Sequence, residues 1–168
     1  MFKTVIKDAS KCSGCRSCES YCALKHDGVC APSRARVHVI KWEQEGLFVP
    51  ISCMRCQDPV CELVCPKHAT YRNYSTGAME VDTNRCIGCL SCVFACPFGA
   101  TFQDPETGNV LKCDLCDGDP TCVKVCPTGA LTYEEVSRET YLKLVQCADQ
   151  IPQLVRQALG SEDQGSQC

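Results

Sequence analysis

A chain of 168 residues with a formal net charge of −3 gives no basis for nucleic-acid binding. It holds 19 cysteines but only 5 Phe, 5 Tyr, 3 Met and 1 Trp, so ordinary core-forming side chains are scarce and cysteine must help hold the fold together. No run of about 18 apolar residues is present to cross a membrane, and the start, MFKTVIKDASKCSGC, has neither a secretory apolar segment nor a twin arginine. The reading is a cytoplasmic protein, where clustered reduced cysteines mean metal rather than disulfides.

Sixteen cysteines fall into four groups along the chain. The first is Cys12, Cys15, Cys18 and Cys22, spaced C-x2-C-x2-C-x3-C. Residues 35–53 follow, where ARVHVIKW, the turn EQEG and LFVPIS predict a β-hairpin. The second group is Cys53, Cys56, Cys61 and Cys65, with a wider middle gap. The third, Cys86, Cys89, Cys92 and Cys96, repeats the spacing of the first. The fourth is Cys113, Cys116, Cys122 and Cys126. An internal repeat closes three of them: CPKHATY from Cys65, CPFGATF from Cys96 and CPTGALTY from Cys126. Each unit predicts a cysteine loop, a short helical turn at the x3 spacing, then a hairpin strand. The turns are signalled by Asn73–Gly77 and Asp104–Gly108. Residues 134–159 predict an amphipathic helical stretch broken near Pro152, and the tail SEDQGSQC predicts disorder.

Three cysteines at x2 intervals wrap one metal centre. A fourth, reached after x3 and followed by proline, points to a different one, which is the ligation pattern of 4Fe-4S clusters. A tetrahedral zinc site wants two separated C-x2-C pairs instead. Four such groups in one chain predict four 4Fe-4S clusters with sixteen cysteine ligands. At −2 per cluster they would take the net charge to about −11, a load that backbone N–H groups and nearby cations must offset.

The order of the groups, the CP endings and the segment CDLCDGDPTCVKVCPTGAL resemble the four-cluster iron–sulfur subunits of the dimethyl sulfoxide reductase type, from about Lys11 to Leu131. The resemblance implies one cluster on Cys12, Cys15, Cys18 and Cys126, and a second on Cys22, Cys113, Cys116 and Cys122. It implies a third on Cys53, Cys56, Cys61 and Cys96, and a fourth on Cys65, Cys86, Cys89 and Cys92. The short gap between Cys116 and Cys122 and the lack of an anchor look more like soluble subunits that accompany aldehyde oxidoreductases, carbon monoxide dehydrogenases, formate dehydrogenases or hydrogenases. All-cysteine ligation favours low potentials, roughly −400 mV.

The implied fold is α+β: two interleaved two-cluster ferredoxin-like modules with short hairpins. Residues 1–34 and 108–133 form the outer module, 35–45 an inserted hairpin region, 46–107 the inner module, and 134–168 a C-terminal helical extension and tail. No nucleophile–base pair, phosphate loop or carboxylate dyad appears, so catalysis is expected on another chain. The expected function is electron transfer between a catalytic subunit, first a tungsten- or molybdenum-pterin aldehyde oxidoreductase, and a second carrier such as a ferredoxin or a flavin- or NAD-linked subunit. A free polyferredoxin and a maturation scaffold are the competing classes. Self-association into a filament is a further expectation. Cys30, Cys147 and Cys168 lie outside every group and read as free thiols. His26, His38 and His68 read as surface or packing residues, and Trp42 as a hairpin core residue or a docking side chain. Lys11, Arg85 and Lys112 each precede the first cysteine of a group, as surface charges or as cations tuning a cluster.

Overall fold

The computed structural model describes residues 3–159. The chain opens on strand β1 (Lys3–Lys7) and passes through the first cysteine loop into helix α1 (Ser17–Asp27). Glu19 sits in the first turn of α1, and Lys25 and His26 in the last, the arrangement favoured by the helix dipole. Gly28, at φ 70°, ends the helix by donating its N–H to the Leu24 carbonyl at 3.1 Å. Strands β2 (Val37–Trp42) and β3 (Leu47–Ser52) form the hairpin expected at 35–53, paired from Val37↔Ser52 to Trp42↔Leu47.

The remaining elements repeat. Helix α2 (Val60–Leu63) leads to the hairpin of β4 (Thr70–Arg72) and β5 (Met79–Val81). Helix α3 (Ser91–Phe94) leads to β6 (Phe102–Gln103) and β7 (Val110–Leu111). Helix α4 (Thr121–Lys124) leads to β8 (Leu131–Glu135). The two hairpin turns use one device. Asn73 accepts from Ser75 N–H at 2.9 Å through its side chain and from Gly77 N–H at 2.8 Å through its carbonyl. Asp104 accepts in the same way from Glu106 and Gly108 at 2.9 Å each.

Strand β8 has no hairpin partner after it. It pairs antiparallel with β1, from Lys3↔Glu135 to Lys7↔Leu131, and joins the two ends of the cysteine region. Helix α1 packs against α4, and α2 against α3. Two apolar clusters result. One gathers Val5, Val37, Val39, Leu115 and Leu131 with Cys18, Cys22 and Cys122. The other gathers Met79 and Val110 with Cys53, Cys61 and Cys92. Cysteine thus supplies part of both cores, as the composition required.

The C-terminal stretch ends at Leu159 as expected but differs at its start and at Pro152. Glu134 and Glu135 belong to β8, and helix α5 runs from Arg138 to Leu159. It continues through Pro152, because one lost N–H and a ring clash bend a helix without ending it when its neighbouring turns still bond. Helix α5 lies against β1 and β3. The expected disordered tail and Cys168 lie outside the described residues. No described helix is long and apolar enough to cross a membrane.

Candidate metal centres

Each cysteine group contributes its third member from the helix that follows its loop: Cys18 from α1, Cys61 from α2, Cys92 from α3 and Cys122 from α4. The x2 loops turn because the residue before the second cysteine is left-handed in all four: Gly14 at φ 69°, Arg55 at 52°, Gly88 at 68° and Leu115 at 63°. Helix packing then brings different groups together. A small cavity, partly open to solvent, is lined by Cys12, Cys15, Cys18 and Cys126. A second is lined by Cys65, Cys86, Cys89 and Cys92. In both, three cysteines come from one group and the fourth from another.

Of the other eight cysteines, Cys22, Cys113 and Cys122 pack in one apolar cluster, and Cys53 and Cys61 in the other. Burial is the first cause that pushes the Cys56 thiol up, and Cys53, Cys61 and Cys96 push it further. Burial likewise lifts Cys22 to about 11; the Arg36 N–H opposes this, and Cys113 and Cys116 add to it. Cys122 is raised still more, by burial and then by Cys113, Cys22 and Cys116. Cys18 is pushed up to about 12 by burial and by the adjacent Glu19. Glu19 itself is fully buried, held by Arg16 Nε at 2.6 Å and by the Val39 N–H at 2.6 Å.

The last cysteine of each repeat meets backbone donors. Ala69 N–H donates to Cys65 Sγ at 3.2 Å, and Ala100 N–H to Cys96 Sγ at 3.3 Å. Burial raises the Cys126 thiol, but the N–H groups of Leu131, Thr128 and Ala130 and the Thr128 hydroxyl outweigh it and leave it lowered. The first group lacks the CP repeat, and there Arg36 N–H donates to Cys22 Sγ at 3.3 Å instead. Such donors stabilise negative charge on sulfur.

Among the described residues, the one trio of ligand atoms within 4.8 Å of one another is His26, Asp114 and Cys116. Four thiolates on one zinc at 2.3 Å would be about 3.8 Å apart. No four of the sixteen cysteines are that close, so their spacing suits a larger group than a single ion.

A family model described as "4Fe-4S dicluster domain" matches residues 44–136. The chain belongs to the 4Fe-4S dicluster domain family. This dicluster chain is 41% identical over 122 residues to the aliphatic sulfonate oxidoreductase, polyferredoxin-like subunit, of Pyrococcus furiosus, covering 73% of this chain and 70% of that one. It is 37% identical over 142 residues to the thiosulfate reductase electron transfer subunit PhsB of Salmonella typhi, covering 77% and 73%. It is 36% identical over 134 residues to the NADH-dependent phenylglyoxylate dehydrogenase subunit beta of Aromatoleum evansii, covering 79% of this chain but only 30% of that relative. The dicluster chain is an iron–sulfur electron-transfer subunit of the oxidoreductase type, without a catalytic role of its own.

The remaining candidates separate clearly. Lys112 is buried; its ammonium donates to the Thr101 hydroxyl at 2.9 Å and its charge acts on Cys92. Lys11 and Arg85 are exposed and pair with Asp8 and Asp82. His38 Nε2 donates to the Ala35 carbonyl at 2.9 Å, and its ring meets Phe102 edge-on at 4.2 Å. His68 is exposed and left-handed, at the position that Gly99 and Gly129 take in the other repeats. Trp42 ends β2 at the turn of the hairpin, half-buried. Cys30 is an exposed free thiol and Cys147 a half-buried one. His26, read from the sequence as a surface or packing residue, places its Nε2 3.6 Å from Cys116 Sγ and 3.4 Å from Asp114. Sequence reasoning missed Lys7 and Arg55, which meet at β1.

Proposed function

We propose that this chain holds four 4Fe-4S clusters in series and relays single electrons between a catalytic oxidoreductase subunit and a second carrier. The ligand sets are Cys12, Cys15, Cys18 and Cys126; Cys22, Cys113, Cys116 and Cys122; Cys53, Cys56, Cys61 and Cys96; and Cys65, Cys86, Cys89 and Cys92. The two cavities, each lined by three cysteines of one group and one of another, carry this reading. A bound cluster supplies a one-electron couple and no substrate chemistry. The residues of the chain hold the thiolates, exclude water with apolar packing, and balance charge with N–H donors and Lys112.

The same sets support two interleaved modules. The β1–β8 pair and the α1–α4 contact tie residues 1–34 to 108–133, and the α2–α3 contact closes 46–107. The names of the relatives favour a subunit of a complex over a free polyferredoxin. Leu63, Ile87 and Phe94, 77%, 60% and 83% exposed and each within two residues of a grouped cysteine, offer apolar contacts for such a complex. A tungsten- or molybdenum-pterin aldehyde oxidoreductase in the cytoplasm is the first candidate partner. A carbon monoxide dehydrogenase, formate dehydrogenase or hydrogenase is the alternative.

Anaerobically purified protein should contain about sixteen iron and sixteen sulfide per chain. Half that content in fully loaded protein, or zinc in its place, rejects four clusters. Cys22→Ser should alter the EPR signal of the centre on Cys113, Cys116 and Cys122 and spare that on Cys12, Cys15 and Cys18; the reverse pattern rejects the crossed sets. Co-expression pull-down with metal analysis tests the partner, and nickel without pterin rejects the first candidate. Light scattering across a concentration series tests self-association into a filament.

A further inference from the structure

A buried ammonium and a half-buried guanidinium lie where, among the described residues, no acid answers them. Lys7, on β1, is 9% exposed, and its ammonium donates to the Val5 carbonyl at 3.3 Å. Arg55 reaches the same strand, where its Nη2 donates to the Thr4 hydroxyl and to the Val5 carbonyl. Its Nε and Nη1 are buried without a hydrogen-bond partner among the described residues. Among the described residues neither cation pairs with a carboxylate.

Two like charges buried together are strongly unfavourable unless an anion compensates them. Burial first, and then Arg55, hold the Lys7 ammonium down to about 8. The groups that act the other way are Cys113, Cys53 and Cys122. These thiols belong to two of the proposed ligand sets, one in each module. Arg55 stands in the loop between Cys53 and Cys56, β1 touches the turn Leu115–Gly118 of the fourth group, and Cys113 packs against both apolar clusters.

The backbone points the same way. Arg55 occupies a left-handed position, φ 52°, that glycine takes in two of the four loops, at Gly14 and Gly88. A side chain there is strained. Leu115, in the fourth loop, offsets that strain by filling the core, fully buried. Arg55 brings a charge instead.

We infer that Lys7 and Arg55 are potential-setting residues for the electron step between the two modules, a fixed pair of positive charges shared by the centre on Cys53, Cys56, Cys61 and Cys96 and the centre on Cys22, Cys113, Cys116 and Cys122. They raise the reduction potential of both centres, so an electron leaving one and entering the other stays beside the same counter-charge. This inference rests on the four-cluster assignment above.

The test is a potentiometric titration of the anaerobic, fully loaded chain followed by EPR. Iron and sulfide content of the unsubstituted protein is measured first, so that failure of the four-cluster assignment is seen before any variant is compared. Lys7→Met and Arg55→Gly, the latter compatible with the left-handed backbone, should each lower two of the four potentials. The expected change is tenfold or more in the reduction equilibrium, 59 mV for one electron. The other two potentials should move much less, and Lys7→Arg should retain all four. Equal shifts in all four, or none, would overturn the inference. Loss of clusters in both neutral variants, with normal loading of Lys7→Arg, would support the same need for charge. Loss of clusters in Lys7→Arg as well would make Lys7 a packing residue and overturn it.

Discussion

Replacing Gly14 by alanine would drive a methyl group into the ring of Phe48. A Cβ built on Gly14 meets Phe48 Cδ1 at 2.5 Å and Cε1 at 2.7 Å. Gly88 occupies the same place in the third cysteine loop at nearly the same φ, 68° against 69°, yet a Cβ there meets nothing within 4 Å. The two positions therefore separate backbone strain from steric conflict. Gly88→Ala carries the left-handed cost alone, about 1 kcal/mol. Gly14→Ala adds displacement of a partly buried ring packed on the core, about 2 kcal/mol more. For a chain of this size about 1 kcal/mol corresponds to roughly 2–4 °C in Tm. Anaerobic thermal melts of the loaded protein should then show Gly14→Ala losing about 6–12 °C and Gly88→Ala about 2–4 °C. Phe48→Leu, which shortens the ring's reach, should recover most of the difference. Equal losses at the two glycines, or no recovery with Phe48→Leu, would refute the reasoning.

Cluster loading should strengthen with pH, because ligation expels the thiol protons that burial holds at about 12 on Cys18 and about 11 on Cys22. Each adds up to about tenfold per pH unit through the neutral range, checked by proton release during reconstitution in weak buffer. The metal-free fold should respond in the opposite sense. Thiols raised from an ordinary 9 favour it below pH 9, and that contribution is lost as the pH climbs toward 11 and 12, because the unfolded chain ionises first. Urea titrations above and below pH 9 read this. Ser137→Ala should cost about 1 kcal/mol at the start of α5, since its hydroxyl accepts from Thr140 N–H at 3.1 Å; hydrogen exchange localised to that helix is the readout.

The cysteine loops and the strands after them were legible because their signals are local. A C-x2-C-x2-C run fixes a loop within a few residues, and Asn73 and Asp104 close their turns with bonds to neighbours two to four positions away. Strand β1 carried no such signal. Five residues, KTVIK, match no alternation strong enough to predict a strand, and their partner lies beyond all sixteen grouped cysteines. The burial of Lys7 and the contact of Arg55 with β1 are long-range too and were hidden for the same reason. Helix α1 runs eleven residues where a single turn was expected. Its extra length is secured by packing on α4, a contact some hundred residues away that periodicity cannot report.

The β1–β8 pairing also sets a timetable. Synthesis delivers Lys3–Lys7 and the first three cysteines early, but their strand partner, Leu131–Glu135, emerges last among the paired strands. The hairpins β4–β5 and β6–β7 close as soon as each is made. A growing chain can therefore enclose its middle while its oldest segment is still waiting, with Cys12, Cys15 and Cys18 unsealed until Cys126 arrives. Those thiols face the longest exposure to oxygen and to stray metal during translation, and a chain cut short before Leu131 would never zip its ends together.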